Sequence, residues 1–432
     1  MKNTFIKSTI ILLIGGFLTK LIGFIIRISY TRIIGTEGIT LYSLITPTYS
    51  LLITLANFNI QLAISKKISS GSRAKKTLIN SCYIMFFLDC LLILIMFLSS
   101  KFISINLLHN QYTYLPLLAC SLTLPFISLG YIIKGYFYGK QNMTPHMISN
   151  VIEQLIKLGI ILVILPKVIQ YGITITITIL ILINIITETT SIIVFIFFLP
   201  KKFHLKKEDL KPDSTQTKSL LAISVPSISG RLIGNIGYFL EPILLTKILL
   251  MKNIPNTYIA KEYGIYNAYS ISLLLFPSFF VTAISNSLLP EISKLHSKNN
   301  KQLVKRRIKQ SIIMSLSVGI ICTIFIYFNC ETLLIKLYKT NEGTNYIKIL
   351  APFFILYYLE APLSSILIGL NKIKTCMFIS TSGIFLKLLT MCILGLLNFK
   401  IYSLIIAEII NIIYVTILDI LNVCLALKKE IS

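Results

Sequence analysis

Long apolar runs separated by short polar segments repeat along the whole chain. A helix needs about 20 apolar residues to cross roughly 30 Å of hydrocarbon, and these runs have that length. Apart from a short Thr-Ile stretch at 173–179, no run alternates as a barrel strand would, so we predict an all-α polytopic membrane protein. The pattern predicts twelve spans, at about residues 8–28, 39–64, 78–98, 112–134, 146–166, 172–199, 219–246, 264–290, 310–330, 347–370, 376–397 and 401–425.

The basic residues lie mainly in alternate polar segments, and this predicts the orientation. With the N-terminus inside, the cytoplasmic segments carry 25 Lys+Arg and the outer segments carry 9. Positive residues favour the cytoplasmic side, so we expect a multi-pass cell-membrane protein with both termini in the cytoplasm. The cytoplasmic segments are 1–7, 65–77, 135–145, 200–218, 291–309, 371–375 and 426–432.

Composition agrees with a membrane setting. The mean hydropathy is +0.81, 55% of the residues are hydrophobic and the net charge is +25. In a soluble protein such a charge would indicate nucleic acid, but here the anionic surface of membrane lipids accounts for it. We therefore expect no nucleic-acid partner.

The longest polar segment, 200–218, divides the chain into an N-terminal six-helix lobe at 1–199 and a C-terminal one at 219–427, followed by a tail at 428–432. Six is an even number, so both lobes begin on the same side and are predicted to be parallel repeats. Several residues recur in order between them: Gly38-Ile39, Tyr42-Ser43, Pro47 and Ile64-Ser65-Lys66 match Gly264-Ile265, Tyr269-Ser270, Pro277 and Ile292-Ser293-Lys294.

Two matched stretches place cations inside apolar spans. Lys20-Leu-Ile-Gly23 lies in the first span and Arg231-Leu-Ile-Gly234 in the seventh. Lys20, Gly23 and Arg27 share one helix face, with the cations about 10 Å apart along the axis. A charge at that depth costs about 2.5–3.5 kcal/mol on insertion scales, so it tends to be functional or paired. We therefore predict that Lys20, Arg27 and Arg231 bind an anion.

Further polar residues extend this predicted site. Asn235 shares the face of Arg231, and Lys157 and Lys387 occupy matched positions in spans five and eleven. The repeat predicts that Lys20 superposes on Arg231 and Lys157 on Lys387. Two alternatives remain open: these residues pack helices together, or Glu153, four residues before Lys157, simply neutralises it.

Seven acidic residues also fall inside spans: Asp89, Glu153, Glu188, Glu241, Glu360, Glu408 and Asp419. We take Glu241, Glu153 and Glu360 as the residues to test for coupling to Na⁺ or H⁺. The eight cysteines show no CxxC spacing and read as small apolar residues, so no metal site is predicted. No nucleotide-binding or hydrolytic motif occurs, so the chain is predicted to be neither an enzyme nor dependent on a cofactor.

Three stretches resemble the stage V sporulation protein B family. They are Gln141 to Lys157 (QNMTPHMISNVIEQLIK), Ala222 to Gly234 (AISVPSISGRLIG) and Ser287 to Lys294 (SLLPEISK), and the N-terminal Leu21 to Phe24 and Gly35 to Tyr42 fit as well. The resemblance implies membership of the multidrug/oligosaccharidyl-lipid/polysaccharide exporter superfamily, which includes the lipid II flippases. It also implies a role in spore cortex peptidoglycan synthesis.

Together these features predict a flippase for a polyprenyl-diphosphate-linked saccharide, a peptidoglycan precursor, working by alternating access. Its partners would be that lipid-linked substrate, membrane lipids, a coupling Na⁺ or H⁺ and wall-synthesis proteins. One alternative is a cation-coupled multidrug exporter, although such a protein would favour an acid in the first span, which here has two bases. The other is a membrane scaffold for wall synthesis that transports nothing.

Overall fold

The computed structural model describes residues 2–200, 212–298 and 300–429, with side chains from residue 15 to residue 427 of those ranges. All regular structure in this part of the chain is helical. The first seven helices are α1 (Lys2–Asn57), α2 (Ile60–Ser69), α3 (Ala74–Phe102), α4 (Tyr114–Gly139), α5 (Thr144–Val168), α6 (Ile173–Phe197) and α7 (Ser214–Met251). The other seven are α8 (Asn256–Gly264), α9 (Ser272–Leu275), α10 (Ser278–Ser297), α11 (Lys301–Tyr338), α12 (Thr344–Gly369), α13 (Ile373–Leu396) and α14 (Tyr402–Lys429).

The predicted spans all fall on helices, and the eighth differs from the sequence pattern because it is bent. Among the described residues, 10 helical segments are long and apolar enough to cross a membrane, or 11 if a bent pair counts as one span. The first segment, Gly15–Ser69, covers the second predicted span and most of the first, and Gly35 separates the two with a non-helical φ of 63° and ψ of −169°. Only glycine adopts that conformation readily. This break lies between residues 28 and 39, where the sequence pattern predicted it.

The eighth predicted span is the bent pair. A π-helical stretch, Ile265–Ile271, joins α8 to α9, and α10 follows at an angle of 53°. Pro277 lies at the break between α9 and α10. Proline removes a backbone donor and ends or kinks a helix, which accounts for the bend.

The chain forms two compact units, Met1–Phe239 (unit 1) and Leu240–Ser432 (unit 2), so the boundary lies within α7. Most of the predicted linker, at 201–211, and the end of the predicted tail, at 430–432, lie outside the described residues. The division at 200–218 and the superposition of the two lobes stay predictions.

The first half of α7 belongs to unit 1 because polar contacts attach it there. Asp213 caps the helix by accepting from the Thr215 amide at 2.9 Å, and the Lys76 ammonium of α3 lies 2.6 Å from its other oxygen. Lys76, together with the capping bonds, holds the pKa of Asp213 well below its usual range. Further along, the Asn59 side chain donates to the Ser227 carbonyl at 2.9 Å.

Glycines bring helices close together in each unit. In unit 1, a Cβ on Gly139 of α4 would lie 2.7 Å from the Cβ of Ile68 on α2. In unit 2, a Cβ on Gly369 of α12 would lie 2.8 Å from Cγ2 of Ile292 on α10. Small residues let membrane helices approach in this way, and their dispersion contacts replace the missing hydrophobic drive in lipid.

Large apolar side chains cover the outside of the helices. Phe87 and Leu98 on α3 are each 72% exposed, and Phe328 on α11 is 77% exposed. Water would disfavour such surfaces, whereas lipid tails accept them. The helices therefore form a multi-pass membrane protein.

Candidate functional site

The two cations predicted to share a face of the first span lie on α1, in unit 1. Lys20 is exposed and Arg27 half-buried on one continuous stretch of helix. α1 packs against α5, and a Cβ on Gly23 would lie 3.8 Å from Oε1 of Gln154 on α5. Gly23 therefore leaves space between the two cations, beside the polar segment of α5 that carries Glu153.

Arg231 also belongs to unit 1. It is exposed near the middle of α7, and its charge acts on the hydroxyl of Tyr131 on α4. Asn235 uses its amide group to donate to the Arg231 carbonyl at 3.0 Å. Neither Arg231 nor Lys20 forms an ion pair with a residue whose side chain the structure describes, so both charges are available to a ligand.

A buried cation that the sequence did not single out lies on α4. Lys134 is 9% exposed, and its Nζ lies 4.0 Å from Oε2 of Glu188 on α6 and 5.5 Å from the centre of the Tyr131 ring. The sequence pattern placed Lys134 at the end of a span, but α4 continues to Gly139. A Cβ on Gly130 would lie 2.8 Å from Glu188 Oε2, so this glycine gives the carboxylate room beside α4.

Lys157 joins the same region from α5. Its Nζ donates to Oδ1 of Asn184 on α6 at 2.7 Å. Glu153 and Glu188 both interact electrostatically with Lys157 and with Lys134. The alternative in which Glu153 alone neutralises Lys157 is therefore incomplete, because Asn184 and Glu188 share the same lysine.

The apolar spans predicted for unit 1 thus contain more cations than acids, five against three. The acids are Asp89, Glu153 and Glu188, and the last two interact with Lys134 and Lys157. The cations are Lys20, Arg27, Lys134, Lys157 and Arg231. An uncompensated positive charge in a low-dielectric region attracts an anion strongly, and it would repel a cationic ligand.

Unit 2 has the opposite charge balance, with more acids than cations inside its apolar spans. Lys387 on α13 bridges two carboxylates, with its Nζ 2.5 Å from Oε2 of Glu241 on α7 and 2.5 Å from Oε2 of Glu408 on α14. The side chain of Glu241 is 5% exposed and that of Glu408 is 13% exposed. Lys387 and Lys157, although matched in sequence, therefore have different partners, and the carboxylates around Lys387 exceed its charge.

The remaining acid of interest in unit 2 is Glu360 on α12. It lines a cavity of about 230 Å³ together with Tyr357 and Ser364. Its Oε1 is buried and accepts no hydrogen bond from the described residues. The fully buried Asp419 and Glu408 both act on it electrostatically. Of the three acids predicted to couple an ion, Glu360 thus lines a cavity, whereas Glu241 is held by Lys387.

Comparisons with known proteins identify the family of the chain. The sequence profile described as "Polysaccharide biosynthesis protein" matches residues 5–296, and the MatE profile matches residues 267–393. Stage V sporulation protein B of Bacillus subtilis (strain 168) is 30% identical over 89% of this chain and 77% of its own length. The lipid II flippase MurJ of the same organism is 22% identical over 90% of this chain and 77% of its own length.

Solved structures of the same fold are transporters. A multidrug resistance MATE family transporter of the MOP superfamily, in an inward-facing conformation, gives a TM-score of 0.76 at 12% identity and covers 95% of each chain. A MOP superfamily transporter from Pyrococcus furiosus gives 0.66 at 13% identity, covering 100% of this chain and 97% of that one. The predicted fold class and family resemblance are confirmed. The chain belongs to the polysaccharide biosynthesis protein family, and it is a membrane transporter of the multidrug/oligosaccharidyl-lipid/polysaccharide exporter superfamily related to stage V sporulation protein B and the lipid II flippases.

Proposed function

We propose that this transporter flips a polyprenyl-diphosphate-linked saccharide, a peptidoglycan precursor, across the membrane by alternating access. The observation that carries the proposal is the excess of cations within the apolar helices of unit 1. Lys20, Arg27 and Arg231 would hold the diphosphate, with Lys157 and Asn235 in support. The names of two relatives, a sporulation protein and a lipid II flippase, support spore cortex as the setting.

The charge pattern favours a diphosphate over an uncharged or cationic ligand. Removing an ion from water is costly, and only an opposite charge or good hydrogen bonds offset that cost in an apolar region. A diphosphate supplies both for Arg231 and Lys20, and an arginine can hold it through two parallel hydrogen bonds. We leave Lys387 out of this anion site, because two carboxylates already surround it.

The orientation and the coupling ion belong to the same proposal. The excess of basic residues in alternate segments supports both termini in the cytoplasm, with the precursor carried outward. Among the acids, Glu360 is the better place for a coupling H⁺ or Na⁺, because it faces a cavity and has an unpaired oxygen within the described part of the chain.

A cation-coupled multidrug exporter is the second candidate. The carboxylates of unit 2, and the cavity beside Glu360, are the observations that favour it, because acids suit a cationic drug. The two functions differ in what they require of unit 1, because its cations would bind a diphosphate and would repel a cationic drug. Removing one of these cations should therefore impair a flippase and not a drug exporter.

The test is translocation of a lipid-linked disaccharide diphosphate by the full chain in proteoliposomes, comparing Arg231→Gln with Arg231→Lys. A charge-assisted contact contributes about 1.5–3 kcal/mol, so the Gln variant should lose roughly tenfold or more and the Lys variant should keep part of the activity. Arg307→Gln is the matched control, because Arg307 is an exposed arginine paired with Glu291. Full translocation by Arg231→Gln at equal membrane levels would contradict the proposal.

A further inference from the structure

A second polar cavity, of about 450 Å³, lies at one end of unit 2. Its lining comes from the end of α8 and the π-helical stretch after it, from α11, from the connection between α11 and α12, and from the starts of α12 and α14. All of these segments border polar stretches that the charge pattern places outside the cell. The lining includes Glu262, Glu331, Asn341, Glu342, Asn345 and Tyr402.

The wall of this cavity is held in place by contacts within unit 2. Gly343, with a φ of 91°, turns the chain before α12, and its carbonyl accepts from the Ser270 hydroxyl at 3.2 Å. Lys261 lies 2.7 Å from Oε1 of Glu342. The Tyr346 hydroxyl donates to Glu262. These contacts already hold the residues of the wall in place, so little conformational entropy is lost when a ligand binds, and such preorganisation favours binding.

Several groups on the wall are available to a ligand. Glu331, Asn341 and Asn345 are exposed, and their side chains make no hydrogen bond or ion pair with any residue that the structure describes. Carboxylates only accept hydrogen bonds, whereas amides both accept and donate. The Tyr402 ring, 39% exposed, stands edge-on to Tyr346 with 5.9 Å between ring centres and offers an apolar face.

The charge of the cavity restricts what that ligand can be. The predicted outer segments contain few acids, and three of them, Glu262, Glu331 and Glu342, meet here from two separate parts of the chain. Lys348 also lines the cavity, so its acids outnumber the cations of its lining by three to one. Carboxylates would repel a diphosphate. They would accept hydrogen bonds from a molecule rich in hydroxyl donors, and the tyrosine face would cover its apolar ring.

We propose that this cavity binds the uncharged saccharide part of the transported lipid on the release side of the membrane. The inference rests on the proposed function, because the substrate must then carry a sugar beyond its diphosphate. A volume of about 450 Å³ lies within the range of small-molecule sites.

The test is saturation-transfer NMR on the full chain in lipid nanodiscs, with N,N′-diacetylchitobiose and maltose as soluble, phosphate-free probes. We expect at least one disaccharide to bind. Glu331→Ala and Asn345→Ala should each weaken the affinity for it, and the loss of the charged Glu331 should weaken it by about tenfold. Both residues are exposed, so their replacement should leave the fold intact. Glu291→Gln, on α10 and outside the cavity lining, is the matched control and should bind as the unmodified chain does.

The outcomes separate this inference from the proposed function. Binding of neither disaccharide, or binding that neither cavity variant changes, would overturn the inference. Displacement of the bound disaccharide by ethylammonium at equal concentration would overturn it too, since the cavity would then be a cation site. If Arg231→Gln blocks translocation while no disaccharide binds, the cavity inference alone fails. If a disaccharide binds and needs Glu331 while Arg231→Gln translocates fully, the inference stands and the anion site of unit 1 fails.

Discussion

Replacing Lys387 by methionine should destabilise the protein. Its ammonium lies 2.5 Å from one oxygen of Glu241 and 2.5 Å from one oxygen of Glu408, and both acids are largely shielded. Hydrogen bonds between membrane helices average only about 0.6 kcal/mol, but here a full charge is removed from between two carboxylates. Breaking a buried ion pair by deleting one partner costs about 3–5 kcal/mol, so the charge effect should dominate.

The measurement is thermal unfolding of the full chain in detergent, followed by light scattering or a thiol-reactive dye. Lys387→Met should unfold at a clearly lower temperature than the unmodified chain. Adding Glu241→Gln and Glu408→Gln to the same variant should recover most of the loss, because a neutral cluster needs no ammonium. Lys374→Met is the matched control, since Lys374 is an exposed lysine on the same helix.

One result would refute this reasoning. If Lys387→Met unfolds at the same temperature as the unmodified chain and loses translocation, Lys387 is not a structural counter-ion. Lys387 would then belong to the anion site that the sequence predicted. An equal decrease in unfolding temperature for Lys387→Met and Lys374→Met would also contradict this reasoning, because the position of Lys387 between two buried acids would then have no effect on stability.

Two further predictions concern packing and orientation. Gly139→Ala should destabilise the protein by about 1–3 kcal/mol in thermal unfolding, because its Cβ would lie 2.7 Å from the stiff Ile68 side chain. Gly159→Ala is the control and should not destabilise it, because there is open space around Gly159. Equal stability of the two variants would contradict the close α2–α4 contact. Orientation can be tested with a membrane-impermeant thiol reagent on intact cells, in a chain whose 8 cysteines are replaced. Ser297→Cys should not react, because it lies in a predicted cytoplasmic segment, and Asn398→Cys should react. The reverse pattern would overturn the orientation.

Much of the fold was predictable because lipid leaves few choices. The length of the apolar runs predicts which segments are helices, and the structure has a helix at each of them. The break at Gly35 lies where one predicted span ends and the next begins. The bend at Pro277 was less predictable, because Pro125 and Pro362 lie inside helices that continue through them.

The site was predictable only in part, since partners far apart in the sequence leave no local pattern. The one-face spacing of Lys20 and Arg27 follows from helix periodicity alone. By contrast, nothing near Lys387 in the sequence shows that Glu241 and Glu408 meet it. Lys134 was missed because it lies near the end of its apolar run, and only the continuation of α4 places it beside Glu188.

The most direct test of the cationic site in unit 1 is a binding comparison by native mass spectrometry on the full chain. Polyprenyl diphosphate, polyprenyl monophosphate and polyprenol would be titrated against the unmodified chain, Arg231→Gln and Arg231→Lys. The account predicts the tightest binding for the diphosphate, a loss of about tenfold or more in Arg231→Gln, and a smaller loss in Arg231→Lys. Equal binding of diphosphate and polyprenol by the unmodified chain, or an unchanged diphosphate preference in Arg231→Gln, would contradict it.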